Sequence, residues 1–261
     1  MTADALVSWF EGRARPLVAL SGGVDSALVA YAAHRAAPRA VAVTADYQAL
    51  PREDLEAARR TCAEIGIEHE VIAYDELLNE SYSANAPDRC FHCRTELGGR
   101  LREAAARLRA DVIVDGTHLG DMGDHRPGLE AMRAAGVRSP LAEVGMAKGA
   151  VREAARAAGL SASERPANSC LASRIPWGRR VTAERLARIE VAERMVRQAT
   201  RIGVVRVRDT GESSARIEVP RESVGELLGA MGSISDGLRA IGYSEVTVDE
   251  RGYSPGGANR G

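Results

Sequence analysis

The residues best suited to chemistry follow a short apolar run near the start of the chain. They read SGGVDS over residues 21–26, and an alanine-rich stretch comes directly after them. This pattern predicts a strand, a tight glycine turn and a helix. Glycine lets the backbone approach a ligand closely, and the N–H groups of a loop and a helix N-terminus bind anions. The SGGVDS loop therefore predicts a phosphate site, in which Asp25 would contact Mg²⁺ or organise the loop.

The SGGVDS loop is not a Walker phosphate loop, whose motif is G-x-x-x-x-G-K-[ST]. That motif needs a lysine, which the SGGVDS loop lacks. Lys148 is the only lysine among 35 basic residues. A compact ammonium behaves differently from a planar guanidinium, so Lys148 is either selected for a place beside the phosphates or retained by chance.

The elements that position these residues follow from the alternation of apolar and helix-favouring stretches. Buried strands are predicted at 39–46, 67–74 and 111–115, with helices between them. This order predicts an α/β fold with a doubly wound, mostly parallel sheet. Ligands of such sheets bind beyond the carboxyl ends of the strands. The expected nucleotide-binding residues at that edge are Ser21, Gly22, Gly23, Asp25, Ser26, Asp46, Gly116, Thr117 and Asp121.

The last third of the chain has a different pattern. Residues 161–178 form an irregular stretch with two prolines, followed by a helix that Thr182 would cap. Two alternating strands, a glycine-containing helix and a final strand complete an αββαβ order. We therefore predict a larger α/β domain over residues 1–178, built around the SGGVDS loop, and a small α+β domain over 179–261, which would serve substrate binding or oligomerisation.

Composition narrows the class of protein. The chain has 261 residues, 45% of them hydrophobic, and a formal net charge of −1. Such a balance gives no overall field for nucleic acid or a membrane surface. Without an apolar run near 18 residues or a signal peptide, we expect a soluble, cytoplasmic protein with no membrane partner.

Three of the four cysteines lie in stretches predicted to be loops. Cys90 and Cys93 form a CxxC pair and Cys170 follows 77 residues later, whereas Cys62 fits the buried face of a helix. The pair alone is compatible with a redox site, a zinc half-site or cluster ligands. A Cys₃His zinc site would take its fourth ligand from another loop residue, His92 or His118. Three cysteines also suit a [4Fe–4S] cluster with one open iron.

Seven short segments occur in a fixed order: SGGVDS, DRCFHC, DGTHLGDMGDHRPG, SPL followed by Lys148 and Arg152, CLASRIPWG, RVRDTGESSARIEV and GYSPGGAN. This set resembles the LarE-type ATP-dependent sulfur transferases over nearly the whole chain. SGGxDS is common to the PP-loop, or N-type ATP pyrophosphatase, superfamily. The specific signal is the CLASR-x-P-aromatic-G segment.

The resemblance implies a reaction. Enzymes of this family adenylate a carboxylate of pyridinium-3,5-biscarboxylic acid mononucleotide with ATP and Mg²⁺. They then replace AMP with sulfur to give a thiocarboxylate, during synthesis of the nickel-pincer nucleotide cofactor. One subgroup sacrifices the sulfur of the cysteine matching Cys170, which becomes dehydroalanine. The other subgroup has three cysteines and a [4Fe–4S] cluster that carries sulfide. This chain has the three-cysteine pattern, so we expect Cys90, Cys93 and Cys170 to be the metal ligands.

Further roles follow from the same resemblance and from residue chemistry. Arg174 would lower a thiol pKa or hold a substrate carboxylate, unless it is a surface arginine. Arginines of the small domain would hold the substrate phosphate, or would only form ion pairs. The expected catalytic residues are Cys170, Asp25, Ser173, Arg174 and Lys148. The expected substrate-binding residues are Arg206, Arg208, Arg216, Glu190 and Glu193.

The expected partners are a mononucleotide substrate, a sulfide donor and further copies of the chain in a homo-oligomer. Two other functions stay open. A PP-loop tRNA thiolase would share the loop and the cysteines, although the net charge and few aromatic residues argue against RNA. A nucleotide- and metal-binding sensor would bind without turnover, and product analysis separates it from an enzyme.

Overall fold

The computed structural model describes residues 3–121 and 127–253. Contacts divide the chain into two compact units. The first comprises Met1–Glu76 and Cys90–Asn168, and the second comprises Leu77–Arg89 and Ser169–Gly261. The second unit therefore includes residues Leu77–Arg89, which lie in sequence between the two parts of the first unit. The predicted boundary near residue 178 does not assign this segment to the second unit. The division into independently folding domains stays a prediction.

Five parallel strands form the sheet of the first unit. They are β1 (Pro16–Ala19), β2 (Val41–Asp46), β3 (Glu68–Ala73), β4 (Val112–Val114) and β5 (Val137–Arg138). Their order across the sheet is β3-β2-β1-β4-β5, and all pairings are parallel. The chain leaves β1 toward one edge and resumes with β4 on the other side. The switch point of the sheet therefore lies between β1 and β4, where α/β sheets bind their ligands.

Helices cover this sheet and complete the second unit. In chain order they are α1 (Ala3–Trp9), α2 (Val24–Ala36), α3 (Arg52–Ile65), α4 (Glu80–Ser83), α5 (Arg89–Leu108), α6 (Pro127–Ala134), α7 (Pro140–Glu143), α8 (Lys148–Ala157), α9 (Ala183–Ala199) and α10 (Val224–Ala240). The central helix is α2, whose small alanines pack closely against apolar residues of the sheet and of α8. Burying these apolar surfaces holds α2 against the sheet, and the SGGVDS loop connects it to the end of β1.

The second unit has its own small sheet and core. Strands β6 (Arg206–Asp209), β7 (Ser214–Glu218) and β8 (Glu245–Val248) pair antiparallel and then parallel. Apolar residues of this sheet pack against α9 and α10, with Val207, Ile217 and Leu238 fully buried. The predicted α/β fold with an added α+β unit is confirmed, including the αββαβ order. Thr182 caps α9 as predicted, because its hydroxyl accepts the N–H of Arg185 at 3.2 Å.

One local prediction was wrong, and one short strand was not predicted. Residues 79–92 contain α4 and the first turn of α5, so Cys90 and Cys93 lie on a helix and not in a loop. Asn79 caps α4 by accepting the N–H of Ser81 at 3.1 Å, and such short polar helices lack the apolar period that reveals longer ones. Strand β5 is only two residues long, too short to show any alternation.

Parts of the DGTHLGDMGDHRPG and GYSPGGAN segments lie outside the described residues, which leave out 122–126 and 254–261. Over 3–121 and 127–253, we find no helix with the length and apolar character needed to cross a bilayer.

Candidate functional site

The SGGVDS loop joins β1 to α2 at the switch point of the sheet. Gly22 has a φ of +79°, and a Cβ at this residue would lie 2.3 Å from the carbonyl oxygen of Asp54. Only glycine fits both the conformation and the close approach to α3. The hydroxyl of Ser26 accepts the N–H of Ser21 at 3.2 Å and donates to the carbonyl of Gly23 at 3.1 Å. These contacts hold the loop in a compact form around the N-terminus of α2.

The segment after β4 packs against the same loop. A Cβ on Gly116 would lie 2.6 Å from the backbone nitrogen of Ser26. The buried carboxylate of Asp115 accepts the N–H and the hydroxyl of Thr117 at 3.0 and 2.9 Å, and the hydroxyl of Ser139 at 2.8 Å. Asp115 was not among the predicted site residues. Its position after a buried strand, like that of Asp46, is the signal that could have found it.

A cavity of about 270 Å³ opens beside these two segments. Its polar lining comprises Ser21, Asp25, Ser26, Thr44, Tyr47, Arg94, Asp115, Thr117 and Asp121. The rings of Tyr47 and Tyr74 stack with their centroids 5.7 Å apart. Sequence reasoning did not assign Arg94 to the site, because its place in the helical period of α5 carries no sign of a ligand.

Asp25 and Lys148 form an ion pair within the first unit. Lys148 is the first residue of α8, and its ammonium contacts the Oδ2 atom of Asp25. The other oxygen, Oδ1, is buried and has no hydrogen-bond partner among the described residues. A buried carboxylate oxygen without a donor is costly, so this atom suits a cation. The structure brings the lone lysine to the SGGVDS loop, and its contact with ATP stays a prediction.

Two other predicted carboxylates have partners of their own. Asp46 lies at the carboxyl end of β2, where Arg52 donates to it at 2.5 Å. Asp121 accepts the N–H of His118 at 3.1 Å and lines the cavity. Their roles in nucleotide binding stay predictions.

The predicted cluster ligands are divided between the two units. Cys90 is exposed and Cys93 half-buried, one turn apart on the same face of α5 in the first unit. Cys170 is half-buried in the second unit, directly before the turn Leu171–Arg174. Within neither unit do the described residues include three or more His, Cys, Asp or Glu side chains placed to hold a metal. The cluster and the zinc alternative therefore stay predictions.

Arg174 is fully buried, so the alternative of a surface arginine is wrong. Its Nε and Nη2 atoms donate to the two carboxylate oxygens of Glu193 at 2.8 and 3.1 Å. Its Nη1 atom donates to the carbonyls of Ser169 and Cys170 at 2.6 and 3.0 Å. Burial alone would lower the pKa of Arg174, but the charge and hydrogen bonds of Glu193 hold it above its usual value. In this structure Arg174 holds the backbone that carries Cys170.

Ser173 and Glu190 are two further predicted site residues, and both lie in the second unit. The Ser173 hydroxyl lies 3.0 Å from both the Ser169 hydroxyl and Nη1 of Arg174. Its carbonyl accepts Nη1 of Arg208 at 3.0 Å. Glu190 is half-buried on α9, one turn before the carboxylate that pairs with Arg174. These contacts place Ser173 within the hydrogen-bonded turn that follows Cys170.

A buried asparagine that sequence reasoning did not assign to the site organises the rest of this turn. Asn85 has a φ of 58°, and its side-chain amide donates to the carbonyls of Pro176 and Arg179 at 2.8 and 2.7 Å. Its oxygen accepts a hydrogen bond from Arg89, which also donates to the carbonyl of Ala172 at 2.9 Å. Asparagine tolerates the left-handed region better than most residues, which is the only sequence signal here.

The arginines of the small sheet are largely compensated by carboxylates. Arg208 donates twice to one oxygen of Glu218, at 3.0 and 2.8 Å, and Arg216 donates to the other at 3.2 Å. The guanidinium of Arg206 lies 5.3 Å from the ring of Tyr253, and burial lowers the pKa of Arg206. Ion pairing thus describes Arg208 and Arg216 in this structure, and phosphate binding stays a prediction. The predicted Glu193 accepts the N–H of a β6 residue as well as Arg174.

Comparison with known proteins gives a matching family model and several relatives of this chain. The asparagine synthase family model matches residues 4–89. The chain is 39% identical over 250 residues to an uncharacterised protein of Synechocystis sp., covering 94% of this chain and 92% of that protein. A tRNA-specific 2-thiouridylase of Roseiflexus sp. is 33% identical over 124 residues, which is 40% of this chain and 33% of that protein.

A third relative is a synthase that matches nearly the whole chain. The chain is 31% identical over 256 residues to the pyridinium-3,5-bisthiocarboxylic acid mononucleotide synthase of Lactiplantibacillus plantarum. The match covers 97% of this chain and 92% of that enzyme. This identity and coverage, together with the SGGVDS loop at the switch point of the sheet, show the family of the chain. It belongs to the family of that synthase, the LarE-type enzymes among the PP-loop ATP pyrophosphatases.

Proposed function

We propose that this protein is an ATP-dependent sulfur transferase. It would adenylate a carboxylate of pyridinium-3,5-biscarboxylic acid mononucleotide and convert it to a thiocarboxylate for a nickel-pincer nucleotide cofactor. The observation that carries the proposal is the cavity beside the SGGVDS loop, in which the buried Oδ1 atom of Asp25 has no hydrogen-bond donor among the residues that the structure describes. The end-to-end similarity to a synthase of that name supports the choice of substrate.

The first half of the reaction needs a leaving group. A carboxylate is a poor electrophile because oxide leaves badly. Its oxygen attacks the α-phosphorus of ATP, the bond to the bridging oxygen breaks, and pyrophosphate leaves. Backbone N–H groups of the SGGVDS loop and the N-terminus of α2 favour the negative charge of the departing group. The ammonium of Lys148, already beside the loop, would add a compact positive charge.

One oxygen of the site is suited to be a ligand of Mg²⁺. Oδ1 of Asp25 is a buried carboxylate oxygen with no donor within residues 3–121 and 127–253, and carboxylate oxygens are the ligands that Mg²⁺ prefers. When bound, the ion would neutralise phosphate charge. Lys148 holds the other oxygen of the carboxylate and so orients Oδ1.

The second half of the reaction delivers sulfur. Hydrosulfide attacks the acyl carbon of the adenylate, the acyl–oxygen bond breaks, and a thiocarboxylate, AMP and a proton result. We include in the proposal that Cys90, Cys93 and Cys170 bind a [4Fe–4S] cluster, which would supply the sulfide when bound. The accessible pair on one face of α5 fits two thiolate ligands. A sulfide donor, a homo-oligomer and a cytoplasmic location are further parts of the proposal.

The direct test is incubation of anaerobically purified protein with ATP, Mg²⁺ and the mononucleotide. We expect pyrophosphate, AMP and a thiocarboxylate product identified by its mass. Asp25→Asn should abolish all three while the circular dichroism spectrum is unchanged. ATP turnover that depends on RNA and not on the mononucleotide would contradict the choice of substrate and favour a tRNA thiolase.

The source of sulfur has its own test. Iron and sulfide analysis of the anaerobic protein should show a cluster, and repeated turnover should require added sulfide. A Cys90→Ala, Cys93→Ala double variant should lose both. If that variant stays fully active and Cys170 becomes dehydroalanine, losing the elements of H₂S, the cluster part of the proposal is wrong.

A further inference from the structure

Arg165 contacts the SGGVDS loop from outside the cavity. Its Nη1 atom donates to the carbonyl oxygen of Gly22 at 2.5 Å. Its Nη2 atom donates to Oδ1 of Asp54 at 2.9 Å, and the pair is partly buried. The sequence pattern gave Arg165 no role, since it lies in the irregular stretch before Cys170.

The peptide that Arg165 holds is the one most able to turn over. It joins two glycines, and neither Gly22 nor Gly23 has a side chain to resist rotation of the peptide plane. A trans peptide is planar, so its carbonyl and its N–H point in opposite directions. Holding the carbonyl of Gly22 on one side therefore fixes the N–H of Gly23 on the other. That N–H points toward the hydroxyl of Ser21, 3.4 Å away, which lines the cavity.

We propose that Arg165 is a positioning residue for the phosphate site: it locks the Gly22–Gly23 peptide so that the Gly23 N–H faces the phosphates of the bound nucleotide. The donated hydrogen bond also polarises this amide and strengthens its N–H as a donor. The inference rests on the proposed function for the identity of the anion, an ATP polyphosphate.

Neighbouring residues hold Arg165 itself in place. Asn168 donates to the second carboxylate oxygen of Asp54 at 3.1 Å, so that this carboxylate is fixed from two sides. Arg152, on α8, donates to the backbone carbonyls of Ser163 and Arg165 at 2.6 and 3.0 Å. Burial raises the pKa of Asp54, and the charge of Arg165 opposes this rise. A guanidinium with two anchored ends is suited to hold a peptide plane, because its fork of donors is rigid.

The test compares three variants of the full chain. Arg165→Met keeps the length of the side chain and removes its donors, whereas Arg165→Lys keeps one cationic donor. Arg156→Met is the matched control, since the only described side-chain contact of this α8 arginine is an exposed ion pair with Glu164 at 3.1 Å. Calorimetry with Mg²⁺ measures binding of α,β-methylene-ATP, which cannot be cleaved at the adenylating bond, and of AMP, which lacks the β- and γ-phosphates.

Arg165→Met should weaken binding of α,β-methylene-ATP by about tenfold to a hundredfold, the loss of a charge-assisted hydrogen bond. Binding of AMP should change by less than about threefold, which is below 1 kcal/mol. Amide exchange of Gly23 should become faster in Arg165→Met, and Arg165→Lys should restore part of the affinity. Arg156→Met should match the wild type in each measurement.

Equal affinity of Arg165→Met and wild type for α,β-methylene-ATP would overturn the inference, as would an equal loss for AMP. If Arg165→Met fails to fold, Asp54→Asn removes one anchor of the arginine; it should lose affinity for the analogue but not for AMP, and no loss would overturn the inference. Binding needs no turnover, so the two proposals fail separately. A wild type that binds the analogue but releases no pyrophosphate contradicts the proposed function alone.

Discussion

Replacing Arg174 should destabilise the protein far more than a change at a substrate-binding surface would. Its guanidinium and the carboxylate of Glu193 are 0% and 2% exposed, and two hydrogen bonds join them. Arg174→Met leaves the carboxylate buried without its main partner, which costs about 3–5 kcal/mol in free energy of unfolding. In this variant Glu193 would still accept the N–H of Val207, at 3.1 Å, so we expect a loss of stability in the lower half of that range.

The matched control is Arg197→Met, on α9, the helix that also carries Glu193. Arg197 approaches the same carboxylate at 3.5 Å, but its side chain is 22% exposed, so this pair is worth about 0–1 kcal/mol. Urea unfolding would be followed by the fluorescence of Trp177 in a Trp9→Phe background, since the chain has two tryptophans. A loss below about 1 kcal/mol for Arg174→Met, or one equal to that of Arg197→Met, would refute the reasoning from the buried pair.

Four other results are expected. Lys148→Arg should slow pyrophosphate release without lowering stability, because a guanidinium cannot replace the compact ammonium beside Asp25; normal activity would favour chance retention. Cys62 should resist a thiol reagent at pH 8 in the folded protein, since it is 4% exposed and burial raises its pKa from 9.0 to about 12. The unfolded thiol ionises first, so the stability contributed by Cys62 is full below pH 9 and is lost as pH rises toward 12; a Cys62→Ala variant should lose this slope. Arg206→Ala and Arg208→Ala should each raise KM for the mononucleotide more than KM for ATP, and equal changes would favour simple ion pairing.

The sequence was most informative where the local pattern and the global fold agree. Strand β1, the SGGVDS loop and α2 follow from an apolar run, two glycines and alanines, and each is decided by residues close in the chain. The switch point between β1 and β4 then places the loop and Gly116 together, which parallel topology requires. That part of the site could be predicted.

Long-range contacts could not be predicted in this way. Nothing in the pattern indicates that Arg165 reaches Gly22, 143 residues earlier, or that Asn85 donates to the carbonyl of Arg179. Arg174 was expected to touch a thiol or substrate because an arginine near a cysteine suggests a charge effect. Its burial against Glu193 depends on the packing of α9, which no short motif records.

The central claim is that the substrate carboxylate is activated by adenylation at the SGGVDS loop. The most direct measurement uses the mononucleotide with ¹⁸O in both carboxylates, ATP and Mg²⁺, and mass spectrometry of the released nucleotides. The account predicts that AMP carries one ¹⁸O atom from the carboxylate and that pyrophosphate carries none. Formation of ADP and phosphate, or of AMP without the label, would contradict it.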